Sequence, residues 1–211
     1  MPRLPRKWRG AFRWVAFAAL CCALVILTGP VWLSAIGRSL VLEGSDAKSA
    51  TVTAEVLGIP DSPWIGEGVG SDRVLFAADW IKEGRAKLVV MTCGTVYGVS
   101  GCEKAQEALL ALGYPKLPMR EVALPASPDE VEAAALLAEV SRAGAESAII
   151  LADSLDSRRL NRVYQRQGRK LGIKITVVSV SNPNFDPAKW WRLREGRKAV
   201  LSELCQWVGI P

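Results

Sequence analysis

The stretch LADSLDSRRLNRVYQRQG, residues 151–168, contains the pattern that decides the fold: the end of an apolar strand, a short polar turn and a helix. After the turn, arginines recur at spacings of four, four and three residues, and apolar side chains fill the opposite side, which is typical of an amphipathic helix. The two sides are Arg158, Arg162, Arg166 and Arg169, and Leu160, Val163, Tyr164 and Leu171. This stretch predicts a strand–turn–helix unit with a solvated arginine face.

Similar units recur along the chain. Their apolar runs are rich in Val, Ile, Leu or Thr and are mostly continuous, as in strands buried on both faces of a parallel sheet. The predicted strands are 51–57, 88–92, 121–124, 148–152 and 175–180. The predicted fold class is therefore α/β, a Rossmann-like three-layer sandwich with a mostly parallel five-stranded sheet.

Helix signals lie between the predicted strands. Gly84, Gly113 and Gly144 are typical C-terminal stops, and Ser127 with Glu130 forms a capping box. Two further helices are predicted at about 157–171 and 187–208. In the second, the neighbouring Trp190 and Trp191 point about 100° apart, so we expect one in the core and one at the surface.

Histidine is absent from the 211 residues, although half of them are apolar and can form a core. Without imidazole, the chain has no Ser-His or Cys-His nucleophile pair and no histidine metal ligand. Composition excludes these kinds of catalytic site.

The formal net charge of +6 comes largely from the N-terminal tail. The tail carries five cations, and without them the net charge of the chain is +1. They are Arg3, Arg6, Lys7, Arg9 and Arg13. A nucleic-acid-binding protein is expected to carry a basic patch on its folded surface, so we predict no nucleic-acid partner.

Residues 14–37, WVAFAALCCALVILTGPVWLSAIG, contain no charged side chain and are long enough for a helix that crosses a bilayer. A cleaved signal peptide is the alternative, but its apolar region is usually about 7–15 residues long. We therefore predict one uncleaved transmembrane helix in the lipid bilayer of the cytoplasmic membrane. Trp8, Trp14 and Trp32 suit the interfaces.

Positive charge precedes the predicted span, whereas the charges that follow it cancel. The positive-inside rule therefore places the N-terminus in the cytoplasm and the folded domain outside. The predicted organisation is a basic cytoplasmic tail (1–13), the transmembrane helix (14–37), a polar linker (38–50) and the α/β domain (51–211).

Cysteine positions leave two alternatives open. Cys93 and Cys102 bracket GTVYGVSG and either form a disulfide or remain two buried thiols. Cys21 and Cys22 lie within the predicted span, and Cys205 has no evident partner in the sequence.

Ligands of parallel α/β sheets bind beyond the carboxyl ends of the strands. In this chain Asp153, Ser154, Asp156 and Arg159 directly follow a predicted strand end. The acids can cap the helix or bind a sugar hydroxyl, and Arg159 lies beside the backbone N–H groups that can hold an anion. We predict no metal site, and no nucleotide-binding motif or cofactor is indicated.

Residues 50–211 resemble the YdcF/SanA/ElyC-like family of bacterial Rossmann-like proteins, which are often membrane-tethered. The resemblance rests on five stretches: DRVLFAADWIKEGRAKLVVMTCG (72–94), CEKAQEALLALGYP (102–115), SPDEVEAAALL (127–137), LADSLDSRRLNRVYQRQG (151–168) and KWWRLREGRKAVLSELCQWVG (189–209). The last stretch includes the terminal helix with its Glu203. The family usually has His at the position of Asp156.

The resemblance implies a polar cleft formed by Arg73, Glu103, Ser127, Glu130 and Arg159. It implies a role in cell-envelope biogenesis through a small anionic ligand, a lipid-carrier phosphate or a glycan precursor. If the cleft is catalytic, Glu103 or Glu130 is the candidate general acid or base.

Two alternatives stay open. One is a non-catalytic envelope scaffold that binds other envelope proteins. The other, an S-adenosylmethionine-type cofactor binder, is raised by the fold and by analogy within the family alone.

Overall fold

The computed structural model describes residues 28–43, 53–60, 72–96, 98–123, 129–181 and 185–207. One five-stranded sheet organises the domain: β1 (Val56–Ile59), β2 (Leu88–Cys93), β5 (Met119–Ala123), β6 (Ser147–Asp153) and β7 (Lys174–Val180). The strands are ordered β5-β2-β1-β6-β7, and every neighbouring pair is parallel. The predicted Rossmann-like α/β class is confirmed.

Helices cover both faces of this sheet. They are α2 (Asp72–Lys82), α3 (Gly101–Ala111), α4 (Asp129–Arg142) and α5 (Ser157–Leu171). Each connection between parallel strands contains a helix, as such crossovers require. Helices α2 and α3 pack against one face of the sheet, and α4 and α5 pack against the other.

Strand β6 shows why the apolar runs of this chain are continuous. Ile149 and Leu151 belong to the core under α2 and α3, whereas Ile150 and Ala152 belong to the core under α4 and α5. All four side chains are buried. Successive strand residues point to opposite faces, so every position of a strand that is covered on both sides is buried and favours an apolar side chain.

The structure corrects three details of the predicted elements. The first strand is Val56–Ile59 instead of 51–57: residues 51 and 52 lie outside the described residues, and residues 53–55 are not in a strand, although Ala54 N–H donates to the Arg85 carbonyl at 3.2 Å. A short hairpin of β3 (Thr95–Val96) and β4 (Val99–Ser100) was not predicted. Leu171, expected on the buried side of α5, is 46% exposed because it ends the helix.

The predicted C-terminal helix is divided in two. A 3-10 turn, Trp190–Arg192, precedes α6 (Arg194–Trp207). Leu193 between them has extended backbone, with φ −101° and ψ 141°. Close packing of Gly196 on the Trp190 carbonyl fits this break, because a Cβ atom at Gly196 would lie 2.4 Å from that oxygen.

Helix α1 is described over residues 28–40, and it covers the end of the predicted membrane span and the start of the predicted linker. Residues 14–27 of that span lie outside the described residues. Within the part of the chain that the structure describes, no helix has the length and apolar character needed to cross a membrane.

The C-terminal half of α1 packs against the domain. The indole Nε1 of Trp190 donates to the Leu33 carbonyl at 2.8 Å, and the backbone N–H of Leu42 donates to Ser157 Oγ at 2.9 Å. Leu40 is buried in a core cluster with Trp190 and Val200. This cluster joins α1 to α6 and to the start of α5.

Candidate functional site

The carboxyl edge of the sheet gathers charged side chains. Strands β1, β2 and β6 end there, and helices α2, α4 and α5 begin there. Five buried charged residues lie at this edge or, in the case of Glu203, on α6, which contacts it: Arg73, Glu132, Asp156, Arg159 and Glu203. We call these five residues the buried charge cluster. Buried charges are rare unless they are paired or functional, so this edge is the candidate site.

Arg159 is held by two carboxylates of the protein. Its Nε donates to Glu203 Oε1 at 2.8 Å, and its Nη1 forms an ion pair with Asp129. Trp207 Nε1 also donates to Glu203 Oε1, at 3.0 Å. Arg159 was predicted as an anion-binding residue, and the structure places it between acids from α4 and α6.

Arg73 lies at the start of α2, next to the end of β1. Its Nη1 donates to the Pro60 carbonyl at 2.6 Å, and its side chain is buried. Burial raises the pKa of Asp156, and the positive charge of Arg73 opposes that rise, so the two groups interact electrostatically. These are two of the predicted ligand-binding residues, and the structure brings them to one edge.

The turn between β6 and α5 contains the other predicted polar residues. Asp153 Oδ1 accepts the Leu155 N–H at 3.0 Å, which is a local turn bond. Asp156 stands at the N-cap position of α5 but makes no side-chain capping bond. Within the described residues, Asp156 Oδ1 and Ser154 Oγ are buried without a hydrogen-bond partner.

The pKa of Asp156 is shifted, and burial is the main cause. Burial raises the pKa of this carboxyl well above its usual range, and the charge of Asp153 raises it further. The pKa of Tyr164 is also raised well above its usual value, by burial first and then by the charges of Glu132 and Asp156. Burial therefore shifts Asp156 toward the neutral acid relative to an exposed aspartate, and in that form its carboxyl can donate a hydrogen bond.

This shift predicts how stability depends on pH. The pKa of Asp156 is higher in the folded than in the unfolded chain. The contribution of this group to the free energy of unfolding is therefore complete below about pH 4 and is lost as pH rises through the folded pKa. In that window the unfolding free energy of the wild type should fall relative to Asp156→Asn by up to about 1.4 kcal/mol per pH unit. Urea unfolding in mild detergent between pH 4 and pH 8 measures this difference, and parallel curves would contradict the burial of an acid here.

Sequence reasoning missed a second buried acid. Thr92 Oγ1, at the end of β2, donates to Glu132 Oε1 on α4, and both residues are buried. A signal was present: Glu132 shares the helical spacing of Leu136 and Val140, which are fully buried. An acid within an apolar stripe indicates a buried polar partner.

The two candidate catalytic glutamates are exposed and are not part of the buried charge cluster. Glu103 is exposed in the first turn of α3. Glu130 is exposed and pairs with Arg166 of α5 at 2.9 Å on the surface. Ser127, the third member of the implied cleft, lies outside the described residues. Thus the structure brings Arg73 and Arg159 of the implied cleft to the buried edge, and leaves both glutamates in solvent.

A disulfide joins Cys93, at the end of β2, to Cys102, in the first turn of α3, with a Cα–Cα distance of 5.7 Å. It closes the loop that contains the β3–β4 hairpin. Ser100 Oγ caps α3 by accepting the Cys102 N–H at 3.1 Å. Both cysteines are buried, so the bridge fixes this loop beside the carboxyl edge.

Metal ligands are not grouped in the described part of the chain: no set of three or more Cys, Asp or Glu there is placed to hold an ion. The described side chains at the edge supply arginine charge, carboxyl groups and hydroxyls.

No protein-family model matches this chain, and no curated protein matches its sequence. What is established is a Rossmann-like parallel α/β domain with a buried charge cluster at its carboxyl edge.

Proposed function

We propose that this chain is a single-pass protein of the bacterial cytoplasmic membrane that acts in cell-envelope biogenesis. Its domain binds a small phosphorylated ligand, a lipid-carrier phosphate or a glycan precursor, at the carboxyl edge of the sheet. The resemblance of residues 50–211 to the YdcF/SanA/ElyC-like family supports the envelope role. In this proposal the N-terminus is cytoplasmic and the domain lies outside.

One observation carries the ligand-binding part of the proposal: polar atoms without partners accompany the buried charge cluster. Asp156 Oδ1, Ser154 Oγ and Tyr164 Oη are buried and have no hydrogen-bond partner among the described residues. Most buried polar atoms of folded proteins are hydrogen-bonded, and an unpaired one is destabilising by about 1–3 kcal/mol. Ligand oxygens at this edge would satisfy such atoms.

The chemistry of the edge favours a ligand with both phosphate and hydroxyl groups. Arg73 supplies positive charge, and Asp156, when protonated, can donate to a phosphate oxygen. Ser154 and the remaining carboxylates suit sugar hydroxyls. Because Arg159 is engaged by Glu203 and Asp129, Arg73 is the principal anion-binding residue in this proposal.

The membrane part of the proposal depends on the sequence of residues 14–32. Residues 33–37 include groups that contact Trp190 and Pro187, so they belong with the folded domain. The remaining stretch of 19 residues would be about 28 Å long as a helix, close to the thickness of a hydrocarbon core. Trp32 would then lie at the interface, where tryptophan is enriched.

Calorimetry of the full chain in mild detergent tests the ligand class, with glucose 1-phosphate and farnesyl phosphate as probes. We expect saturable binding of at least one probe, and Arg73→Met should weaken it at least about tenfold because a charge-assisted hydrogen bond is lost. Lys82→Met, at the exposed end of the same helix, is the matched control and should bind within about twofold of the wild type. An absence of heat with both probes would overturn the ligand class, and an unchanged affinity in Arg73→Met would overturn its role.

The scaffold alternative has one supporting observation. Arg159, the second arginine of the edge, is already neutralised by protein carboxylates, as expected of a structural link. In that case the full chain should bind neither phosphorylated probe and still be retained in an envelope complex.

A further inference from the structure

A basic surface segment follows the last strand of the sheet. The sequence KWWRLREGRK, residues 189–198, contains five cations and one acid, and all five cations are exposed. The acid, Glu195, pairs with Lys198 at 3.5 Å. With the N-terminal tail set aside, the chain has a net charge of +1, of which this segment contributes +4, so the rest carries −3. Positive charge is thus concentrated on one short stretch of the folded surface.

This segment lies directly against helix α1. A Cβ atom at Gly37 would be 2.2 Å from the Pro187 carbonyl oxygen and 2.6 Å from Trp190 Cδ1, which shows how closely the two backbones approach. The next residue of α1, Arg38, is exposed and adds a further cation. The basic segment therefore lies where α1 leaves the domain toward the predicted membrane span.

Exposed apolar and aromatic side chains accompany the cations. Leu193 is 56% exposed within the segment, and Trp32 is 45% exposed on α1. Trp191 is half-buried and packs edge-on against Trp190. Tryptophan, leucine and basic side chains together are the composition of surfaces that lie in a bilayer interface.

We propose that residues 189–198, with Arg38 and Trp32, form a surface that binds the anionic phospholipid headgroups of the membrane in which the chain is anchored. The inference rests on the membrane anchor of the proposed function and goes beyond it. A nucleic acid would also be attracted by the cations, but the position beside α1 and the exposed Leu193 favour a lipid surface. The domain would then be held at two points, the anchor and this surface, in a fixed orientation.

That orientation has a consequence for the candidate site. The Leu42 N–H donates to Ser157 Oγ, which places the end of α1 at the start of α5 and beside the carboxyl edge of the sheet. The C-terminal end of α1 is therefore held at the candidate site, so a change in how α1 sits on the membrane would be felt at this edge.

Hydrogen–deuterium exchange of the full chain in lipid nanodiscs tests the surface. We expect peptides covering 189–198 to exchange more slowly in discs that contain phosphatidylglycerol than in discs of phosphatidylcholine alone, and 0.5 M salt should abolish the difference. The triple variant Arg192→Ala, Arg194→Ala, Lys198→Ala should lose the difference. The matched control, with Lys82→Ala, Lys104→Ala and Lys116→Ala on α2, α3 and the loop after α3, should keep it.

The outcomes separate this surface from the anchor. Equal exchange in both kinds of disc, or a lipid-dependent difference that survives in the triple variant, overturns the surface. Stronger protection by polyuridylate in neutral discs than by phosphatidylglycerol also overturns it, in favour of a nucleic acid. Resistance of the chain to carbonate extraction from membranes is measured separately, and its failure contradicts the anchor while leaving the exchange result for the surface intact.

Discussion

Replacement of Arg159 by alanine should lower the free energy of unfolding by about 3–5 kcal/mol, as expected when one partner of a buried ion pair is removed. The reason is the environment of Glu203, whose side chain is only 4% exposed. In the variant this carboxylate keeps its bond from the Trp207 indole but loses Arg159, its ion-pair partner among the described residues. Urea unfolding of the full chain in mild detergent, followed by tryptophan fluorescence, measures the change.

The same helix provides a matched control. Arg166 of α5 also pairs with a glutamate of another element, Glu130, but their side chains are 64% and 54% exposed. Arg166→Ala should therefore change the unfolding free energy by less than about 1 kcal/mol. A double variant, Arg159→Met with Glu203→Leu, should recover much of the lost stability because no buried charge is left unpaired. Equal effects of the two single substitutions would contradict the buried pairing.

Replacement of Gly37 by alanine should destabilise the packing of α1 on the domain by about 1–3 kcal/mol, the usual range for overpacking. The added Cβ would meet the Pro187 carbonyl, which is backbone and cannot rotate away. Relief requires α1 to move, and that would break the bond from Trp190 Nε1 to the Leu33 carbonyl. Unfolding measured as above should show the loss.

Gly29, on the same helix, is the control for this substitution. Apart from its chain neighbours and its own helix backbone, a Cβ atom there would approach nothing closer than Trp32 Nε1 at 4.0 Å. Pro30 follows directly and opposes the helix-propensity gain of alanine, so Gly29→Ala should change stability by less than about 1 kcal/mol. Equal losses in the two alanine variants would contradict the docking of α1.

The fold was predictable because strands that are buried on both faces of the sheet appear in the sequence as continuous apolar runs. The apolar runs 88–92 and 148–152 lie wholly within β2 and β6. Gly84 and Gly144, predicted helix stops, have φ of 71° and 74°, which favours glycine. The β3–β4 hairpin escaped prediction because its strands are two residues each and bury little apolar surface.

The candidate site was predictable only in part, because its pairings are set by distant elements. The sequence places Arg159 in the first turn of α5, but its partner Glu203 is 44 residues away on α6. Nothing in the spacing of α5 reveals that α6 returns to this point. Glu103 and Glu130 are indicated only by the resemblance, and both side chains are exposed instead of joining the buried charge cluster.

The segment 189–198 shows that the net charge of a chain does not reveal how its charges are distributed over the folded surface. A net charge of +1 outside the tail does not exclude a local basic patch. Five cations and one acid already stand together in this stretch of sequence, and the structure exposes all five cations. Only the three-dimensional arrangement reveals that this cluster adjoins α1.

The most direct test of the account is where a bound ligand lies. Crystals of the full chain grown with the tighter-binding of the two phosphorylated probes should show its phosphate in contact with Arg73. Its remaining polar atoms should lie within hydrogen-bond distance of Asp156 or Ser154. Electron density that places the probe away from the carboxyl edge, with these side chains satisfied by the protein alone, would contradict the central claim.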